Sequence, residues 1–568
     1  MLKRMLVLTM AVIGLALCAG PMDYWTPPKK KLIECGWSQT MGVERLCAAV
    51  KILEKHTPYQ GVSIALSGRD EKGKKFATNF MFGPEHDSGR GPKVERWKYE
   101  YFKEDIEFLK KTKFTKFTDN FFWTNSRSGN VEWSDDHDWD IVCNNFGIIA
   151  RVAKETGVKG IIFDGEFYGN KSKPIFSFLE KGRTADDMVA LARKRGQQWG
   201  RAIFSNYPDI KLFLIFSFAW KEAQRATPEM SSLMIPFLNG MYDVLPPTAT
   251  VIEGHEHHAY GAATQADFAH LRTDMGEVFM QMVDKKNIKK YKLQTQLAPA
   301  LYLDPYLRPN CGDSTFMKHL RPMFEKAPKL TVFRRNITRA LSMADEYVWT
   351  WGEGGKWYPH KAMHPHCRLF WEEVNPGVTR TVESATDPLT YAKAVVKEKK
   401  LKNIAKDPTM SDVFIRDRRP KYYDFWPKND GYVCEKAVKG GSTGKDAIRI
   451  SGCGFFTLSQ DIKVKQDQLY LIRARMKKVS GKSAKYNVLV SYDDHLKRAG
   501  WNRTTQTVRF GKPDEKGWQI AEIAVIVPEN MVNMHIRICG GKQHPEDVAI
   551  FDLLEVFKVD DGHYVSSK

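Results

Sequence analysis

The stretch Gly160-Ile161-Ile162-Phe163-Asp164-Gly165-Glu166-Phe167-Tyr168 decides how this chain is read. An apolar run ends abruptly in two carboxylates, two residues apart. Side chains alternate with period two along a β-strand, so Asp164 and Glu166 are expected on one face. Acids at the mouth of an apolar strand cost desolvation energy unless they have partners or chemistry to perform. The end of this strand is therefore the first place to look for a functional site.

Working outward, short apolar strands are expected at 32–37, 62–67, 114–123, 160–166, 211–218, 249–257, 292–300 and 346–353. Helical patterns lie between them, for example at 99–112, 139–156, 185–199, 265–284 and 315–324. Eight strands alternating with helices predict a (β/α)8 TIM barrel. A doubly wound open sheet would need a Gly-rich phosphate loop after its first strand, and Glu34-Cys35-Gly36-Trp37-Ser38-Gln39 is not one. From about 430 onward, alternating segments separated by Gly-, Lys-, Asp- and Pro-rich turns predict an all-β jelly-roll sandwich. The expected order is a signal peptide at 1–19, the barrel at 30–372, a helical or extended linker at 373–428 and the β-sandwich at 429–562.

Lys3 and Arg4 precede an apolar stretch at 6–17 that is short for a membrane span, and the small residues Ala16, Cys18, Ala19 and Gly20 accompany its end. This pattern predicts a secreted or periplasmic bacterial protein cleaved near Cys18 or Ala19. Leu15-Ala16-Leu17-Cys18 also resembles a lipoprotein box, which would anchor the chain to the outer membrane through Cys18. No later segment is long and apolar enough to cross a bilayer. Cys35, Cys47, Cys143, Cys311, Cys367, Cys434, Cys453 and Cys539 contain no CxxC pair, so no zinc ribbon or redox motif is expected. They read as buried thiols or as one bridge within the C-terminal group. A formal charge of +20 favours acidic partners, such as sulfated or uronic polysaccharide, or else reflects a Lys-rich solvated surface. No nucleic-acid motif is present, and no nucleic-acid partner is expected. The 15 Trp and 21 Tyr suit flat pyranose faces as well as cores. Oligomeric state is not legible in the sequence.

Active sites of such barrels lie at the C-terminal ends of the strands. Strand four ends in Asp164 and Glu166. Strand eight runs Tyr347-Val348-Trp349-Thr350-Trp351-Gly352-Glu353, with Trp357 beyond it, and period two puts Trp349, Trp351 and Glu353 on one face. Strand six runs Val251-Ile252-Glu253-Gly254-His255-Glu256-His257-His258. There Glu253, His255 and His257 share one face, with Glu256 on the other. That cluster suits sugar contact or tuning of an acid; His-x-His on a strand also suits zinc. Trp37 closes strand one. Asp119, Asn120 and Trp123 belong to strand three, Ser217 and Trp220 to strand five, and Gln294 and Gln296 to strand seven. A mouth of carboxylates, amides and indoles suits a neutral polyhydroxylated ligand.

On these residues the first part of the chain resembles a (β/α)8-barrel glycoside hydrolase. An acid closing strand four is similar to the general-acid position of many such enzymes, and Asp164-Gly165-Glu166 resembles the end of the chitinase-type DxDxE signature. The C-terminal part is similar to carbohydrate-binding modules, on Gln460-Asp461-Ile462, Tyr470-Leu471-Ile472 and Ile550-Phe551-Asp552. These motifs carry a class and not a family. The resemblance implies cleavage of O-glycosidic bonds in a poly- or oligosaccharide, an anionic one fitting the charge, with no cofactor. Such cleavage needs two carboxyl groups. Glu166 is expected as general acid and Glu353 as its partner, with Glu253 and Glu256 in reserve and Asp164 orienting. Trp37, Asp119, Trp123, Trp220, Glu253, His255, Glu256, His257, Gln296, Trp349, Trp351 and Trp357 are expected to touch substrate. The alternatives are a non-catalytic glycan-binding protein on a barrel scaffold and a metal-dependent hydrolase using His255 and His257. In the sandwich, Trp501 and Trp518 are candidate sugar platforms.

Overall fold

The computed structural model describes residues 30–36, 42–78, 95–125, 131–165, 176, 180–218, 232–309, 315–358, 367–411, 414–415, 419–420, 422–427, 431–481, 484–496 and 505–560. The signal segment, Trp37, Glu166, Trp220, Cys311 and Trp501 lie outside these residues.

The first half of the chain builds one parallel sheet. Its strands are β1 (Lys31–Gly36), β2 (Gly61–Ile64), β3 (Phe121–Asn125), β4 (Gly160–Asp164), β5 (Lys211–Leu214), β6 (Thr250–Glu253), β7 (Thr295–Leu297), β8 (Ala300–Tyr302) and β9 (Tyr347–Gly352). They lie in the order β8-β9-β1-β2-β3-β4-β5-β6-β7. Phe121 meets Phe213 at 5.7 Å and Tyr347 at 5.6 Å, and Phe213 meets Trp349 at 6.1 Å. None of these strand pairs is hydrogen-bonded, so the sheet curls until its concave face packs against itself. The convex face carries the helices. Phe163 packs on Phe146 of α1 (Asp136–Thr156) at 5.9 Å and on Trp199 of α2 (Ala185–Asn206) at 5.5 Å. Thr184 and Asp187 close a capping box at the start of α2, which satisfies two backbone donors there.

The helix layer is tight where α2 meets α3 (Met234–Val244). A Cβ on Gly196 would stand 1.8 Å from the Phe237 carbonyl oxygen, and one on Gly240 would stand 2.1 Å from that of Arg193. Only glycine permits this backbone approach.

Strands five and six end earlier than expected, at Leu214 and Glu253, and the third and seventh differ in other ways. The third begins at Phe121, not near 114, because Phe117, Thr118 and Asp119 are spent on the turn before it. The seventh is preceded by α6 (Ile288–Gln294) and is split into β7 and β8 by Ala298-Pro299. Proline has no N–H for a ladder, so regular pairing stops there. Across the break the Ala298 N–H donates to the Glu253 carbonyl at 2.9 Å, and the Trp349 N–H donates to the Pro299 carbonyl at 3.2 Å.

The C-terminal part forms two antiparallel sheets of five strands each. One contains Asp424–Pro427, Phe455–Lys463, Met531–Gly541, Lys485–Asp494 and Gln506–Arg509; the other contains Val433–Ala437, Ala447–Ser451, Val548–Asp560, Leu469–Ser480 and Trp518–Ile526. Phe551 of the second sheet packs on Phe456 and Tyr486 of the first at 5.8 and 5.7 Å, so the sheets face each other over a shared core. The first strand of this unit starts at Asp424, inside the stretch expected as linker. Trp518 is buried, whereas Trp426 is 57% exposed and is the free indole face of the described sandwich residues.

The two units are riveted together. From α7 (Lys329–Met343), Arg334 bonds Asp560 at 2.9 Å, Arg335 pairs with Asp467, and Arg339 bonds Glu529 at 2.6 Å. Ala392 and Val395 of α8 (Pro388–Lys399) share an apolar cluster with Leu469, Leu471, Ala524 and Phe557. Among the described residues no cysteine is joined in a disulfide.

Candidate functional site

The concave face is layered, and its two ends do different work. At the N-terminal ends of the strands, Asp119 Oδ1 accepts from Lys31 Nζ at 2.8 Å and from the Tyr347 hydroxyl at 2.6 Å. Lys211 Nζ donates to Tyr347 at 2.7 Å and also pairs with Glu346. Burial works against the Asp119 charge, but the bonds from Lys31, Tyr347 and Thr118 outweigh it and hold the carboxyl below its usual range. Asp119 is thus corrected from a mouth residue to part of a structural ion network at the opposite end, because β3 begins after it. Asn120 belongs there too, accepting from the Val62 N–H at 3.1 Å.

The C-terminal ends gather the polar and aromatic side chains. Trp123 of β3 meets Trp351 of β9 at 5.2 Å across the intervening strands, which fixes the inward face. In register, Trp123 pairs with Ile162 and Asn125 with Asp164, so Asp164 faces inward at the last position of β4, where it is buried. Past the end of β9, Glu353 Oε1 accepts from Trp351 Nε1 at 2.9 Å and Oε2 accepts from the Tyr302 hydroxyl at 3.3 Å. Its loop is pinned by Asp304, whose two oxygens accept from the Glu353 and Gly354 amides, each at 2.8 Å.

After β6, the short helix α4 (Glu256–Tyr260) crosses the same rim. Tyr260 stacks on Tyr302 at 5.3 Å and leans on Trp349 at 5.9 Å. Burial raises the Tyr260 hydroxyl well above its usual value, and the adjacent Glu256 carboxylate raises it further. Two carboxylates therefore flank one stacked pair of phenols, Glu256 beside Tyr260 and Glu353 beside Tyr302. Cys35 lies close enough for the charge of Glu256 to act on its buried thiol.

Other candidates are placed elsewhere. Glu253 pairs in register with Leu214, which pairs with Phe163, so it faces the helix layer and not the mouth. It is fully buried, with Oε1 accepting from the His255 N–H at 3.0 Å. Burial pushes its carboxyl up to about 8, against the pull of the His255 and Ser217 amides. His255 and His257 do not form a pair. The strand ends at Glu253, and His255 takes a left-handed φ of 49° that breaks the alternation. His257 rests on Phe216 at 4.9 Å, while His255 packs on Phe279 at 5.1 Å. Trp357 packs on Tyr59 at 5.3 Å, and Tyr59 bonds Thr350, whose side chain alternates with inward Trp349 and Trp351; Trp357 is therefore behind the sheet. Trp349 faces inward but is wholly buried, its Nε1 bonded to the Gly254 carbonyl at 2.9 Å, so it is a floor and not a platform. Gln296 pairs in register with inward Ile252 and is half-buried. Gln294 ends α6 and caps the Pro246 and Ala249 carbonyls.

The structure thus brings together Asp164, Glu256, Glu353, Trp123 and Trp351, and adds Asn125, Tyr260, Tyr302 and Asp304. Tyr260 was within sight in the sequence, four residues after Glu256. Tyr302 and Asp304 follow the break at Pro299, where strand periodicity stops.

No protein-family model matches the sequence, and no curated protein matches it. Solved structures similar to part of the chain include TmCBM61 in complex with beta-1,4-galactotriose, at 16% identity over 28% of this chain and 99% of that one, with a TM-score of 0.22. The CBM22-1–GH10 modules of Clostridium thermocellum endo-1,4-beta-D-xylanase 10B complexed with xylohexaose match at 13% identity over 27% and 28%, with a TM-score of 0.21. A family 16 carbohydrate-binding module matches at 14% identity over 26% and 100%, with a TM-score of 0.20.

Proposed function

We propose that the protein is a secreted glycoside hydrolase that cleaves O-glycosidic bonds of a poly- or oligosaccharide with paired carboxyl groups. The parallel strands are read as a closed (β/α)8 barrel whose seventh strand is interrupted at Ala298-Pro299, and the C-terminal unit as a jelly roll. One observation carries the function: Glu256 and Glu353 flank the stacked Tyr260–Tyr302 pair at the C-terminal strand ends, beside Trp123 and Trp351. Phenols and indoles supply the faces a pyranose ring packs on, and the acids supply proton transfer and charge stabilisation.

In this reading Glu166, two residues past the buried Asp164, donates the proton to the leaving oxygen. Glu353 is the nucleophile or the base that activates water. Two donors, Trp351 Nε1 and the Tyr302 hydroxyl, fix its orientation. Glu256 sits on the opposite side of the phenol pair and binds sugar hydroxyls. The basic charge favours an anionic glycan. Export follows from the charged and apolar N-terminal pattern, with Cys18 the lipidation position if the chain is anchored.

The test is a glycan panel read by reducing-end release, with Glu166→Gln, Glu353→Gln and Glu256→Gln compared with wild type. Loss of one acid–base group should lower kcat by about 10²–10⁴ while binding persists. Wild-type protein that binds glycans and releases no reducing ends would replace this reading with a non-catalytic one.

A further inference from the structure

His255, His258 and Asp274 form a cluster that the carbohydrate chemistry does not use. Their nearest ligand atoms all lie within 4.8 Å of one another. His255 Nε2 stands 3.5 Å from Asp274 Oδ2, and His258 Nδ1 stands 3.4 Å from the same oxygen. These gaps are long for hydrogen bonds, which close to about 2.7–3.2 Å. They match the edge of a tetrahedron around an ion held at about 2.0–2.1 Å, where neighbouring ligand atoms lie about 3.4 Å apart.

A second observation points the same way. His255 is 0% exposed, and neither of its ring nitrogens makes a hydrogen bond of normal length, the Asp274 carboxylate standing 3.5 Å from Nε2. A buried imidazole in that state is costly unless something else takes its lone pair. The backbone is shaped around the same point. His255 takes its left-handed φ of 49° there, and Asp274 opens a π-helical turn, Asp274–Val278, directly after α5 (Gln265–Thr273). Strained and π-helical backbone persists where the surroundings require it.

We propose that His255 Nε2, His258 Nδ1 and Asp274 Oδ2 bind one divalent transition-metal ion of the zinc class. Two imidazoles and one carboxylate select Zn2+, Co2+ or Ni2+ over Mg2+ and Ca2+, which prefer all-oxygen shells. Three protein ligands leave one tetrahedral position for water. The ion ties the end of β6 and the first turn of α4 to the turn after α5. Since α4 carries Glu256 and Tyr260 to the rim, the ion is a clamp behind the site and not a reagent in it. His257, on Phe216, takes no part.

Metal content tests this independently of any hydrolase activity. Untagged full-length protein is loaded with Zn2+, dialysed against metal-free buffer and analysed by mass spectrometry. The expected content is about one equivalent. His258 is 45% exposed, so His258→Ala is the variant least apt to disturb folding; with Asp274→Asn it should retain below about 0.1 equivalent while circular dichroism stays native. Co2+ in place of Zn2+ should give the visible absorption of a tetrahedral site. Wild type that holds no stoichiometric metal, or His258→Ala that holds as much as wild type, overturns the proposal.

Discussion

Glu253 gives the sharpest prediction. Its carboxyl is fully buried on the helix-facing side of β6 and is pushed from 4.5 to about 8. The folded-state value lies above that of the unfolded chain, so the stability it carries is complete below about pH 4.5 and is lost as pH rises through about 8. At 1.36 kcal/mol for each pH unit, the ceiling on that loss is about 5 kcal/mol, with the steepest decline near neutral pH. Glu253→Gln removes the titration and keeps the shape; its amide oxygen still accepts from the His255 N–H. Wild type and variant should have similar denaturant midpoints at pH 5.5, read by Trp fluorescence. By pH 8.5 the variant should be the more stable, by roughly 3–5 kcal/mol. Midpoint curves that run parallel across this range would refute the burial argument, and would mean that water or an unseen partner solvates the carboxylate.

Three further outcomes follow from the packing and the rim. Arg334→Ala should lower the first thermal transition, because it strands Asp560 and the Asp467 carbonyl at the seam between the units; the cost is about 3 kcal/mol, the low end for a buried pair since Asp560 is 20% exposed, and an unchanged transition would show the seam to be slack. Gly196→Ala, with its Cβ only 1.8 Å from a carbonyl oxygen, should cost more than about 3 kcal/mol and reduce soluble yield, whereas a melting temperature within about 2 °C of wild type would contradict the α2–α3 approach. Tyr302→Phe removes one donor to Glu353 and keeps the stack on Tyr260; kcat should fall by about 10-fold with KM little changed, and an equal fall in Glu256→Gln/Tyr302→Phe relative to Glu256→Gln would place the effect at Glu353 alone.

Much of the architecture was legible because it is written in local patterns. The apolar runs at β4 and β9 end in polar residues, and each became a strand end with its polar group at the rim. The sandwich strands showed clean alternation because each sheet keeps one face on the core and one toward solvent. Boundaries failed where side chains serve turns. The carbonyl of Phe117 and the side chains of Thr118, Asp119 and Asn120 are consumed before β3 begins. The seventh strand, read as one run over 292–300, begins only at Thr295, is interrupted at Ala298-Pro299 and resumes to Tyr302.

The site was less legible for a reason of parity. A strand covered on both faces is apolar on both faces, so sequence alternation does not say which face is the inside. Val251 and Ile252 are equally buried, yet only Ile252 looks inward, and that choice sends Glu253 to the helices. The same ambiguity misassigned Trp357, whose place depends on a turn after the strand. Parity was readable only where a long-range contact fixed it, as between Trp123 and Trp351. Rim residues carried by turns escape the rule altogether: Glu256 and His258 are two positions apart on α4, and one turns to Tyr260 while the other turns to Asp274. A helix separates such neighbours by roughly 200° of rotation, so a period-two reading, which set His255 and His257 on one face and Glu256 on the other, could not show the two environments that the fold keeps apart.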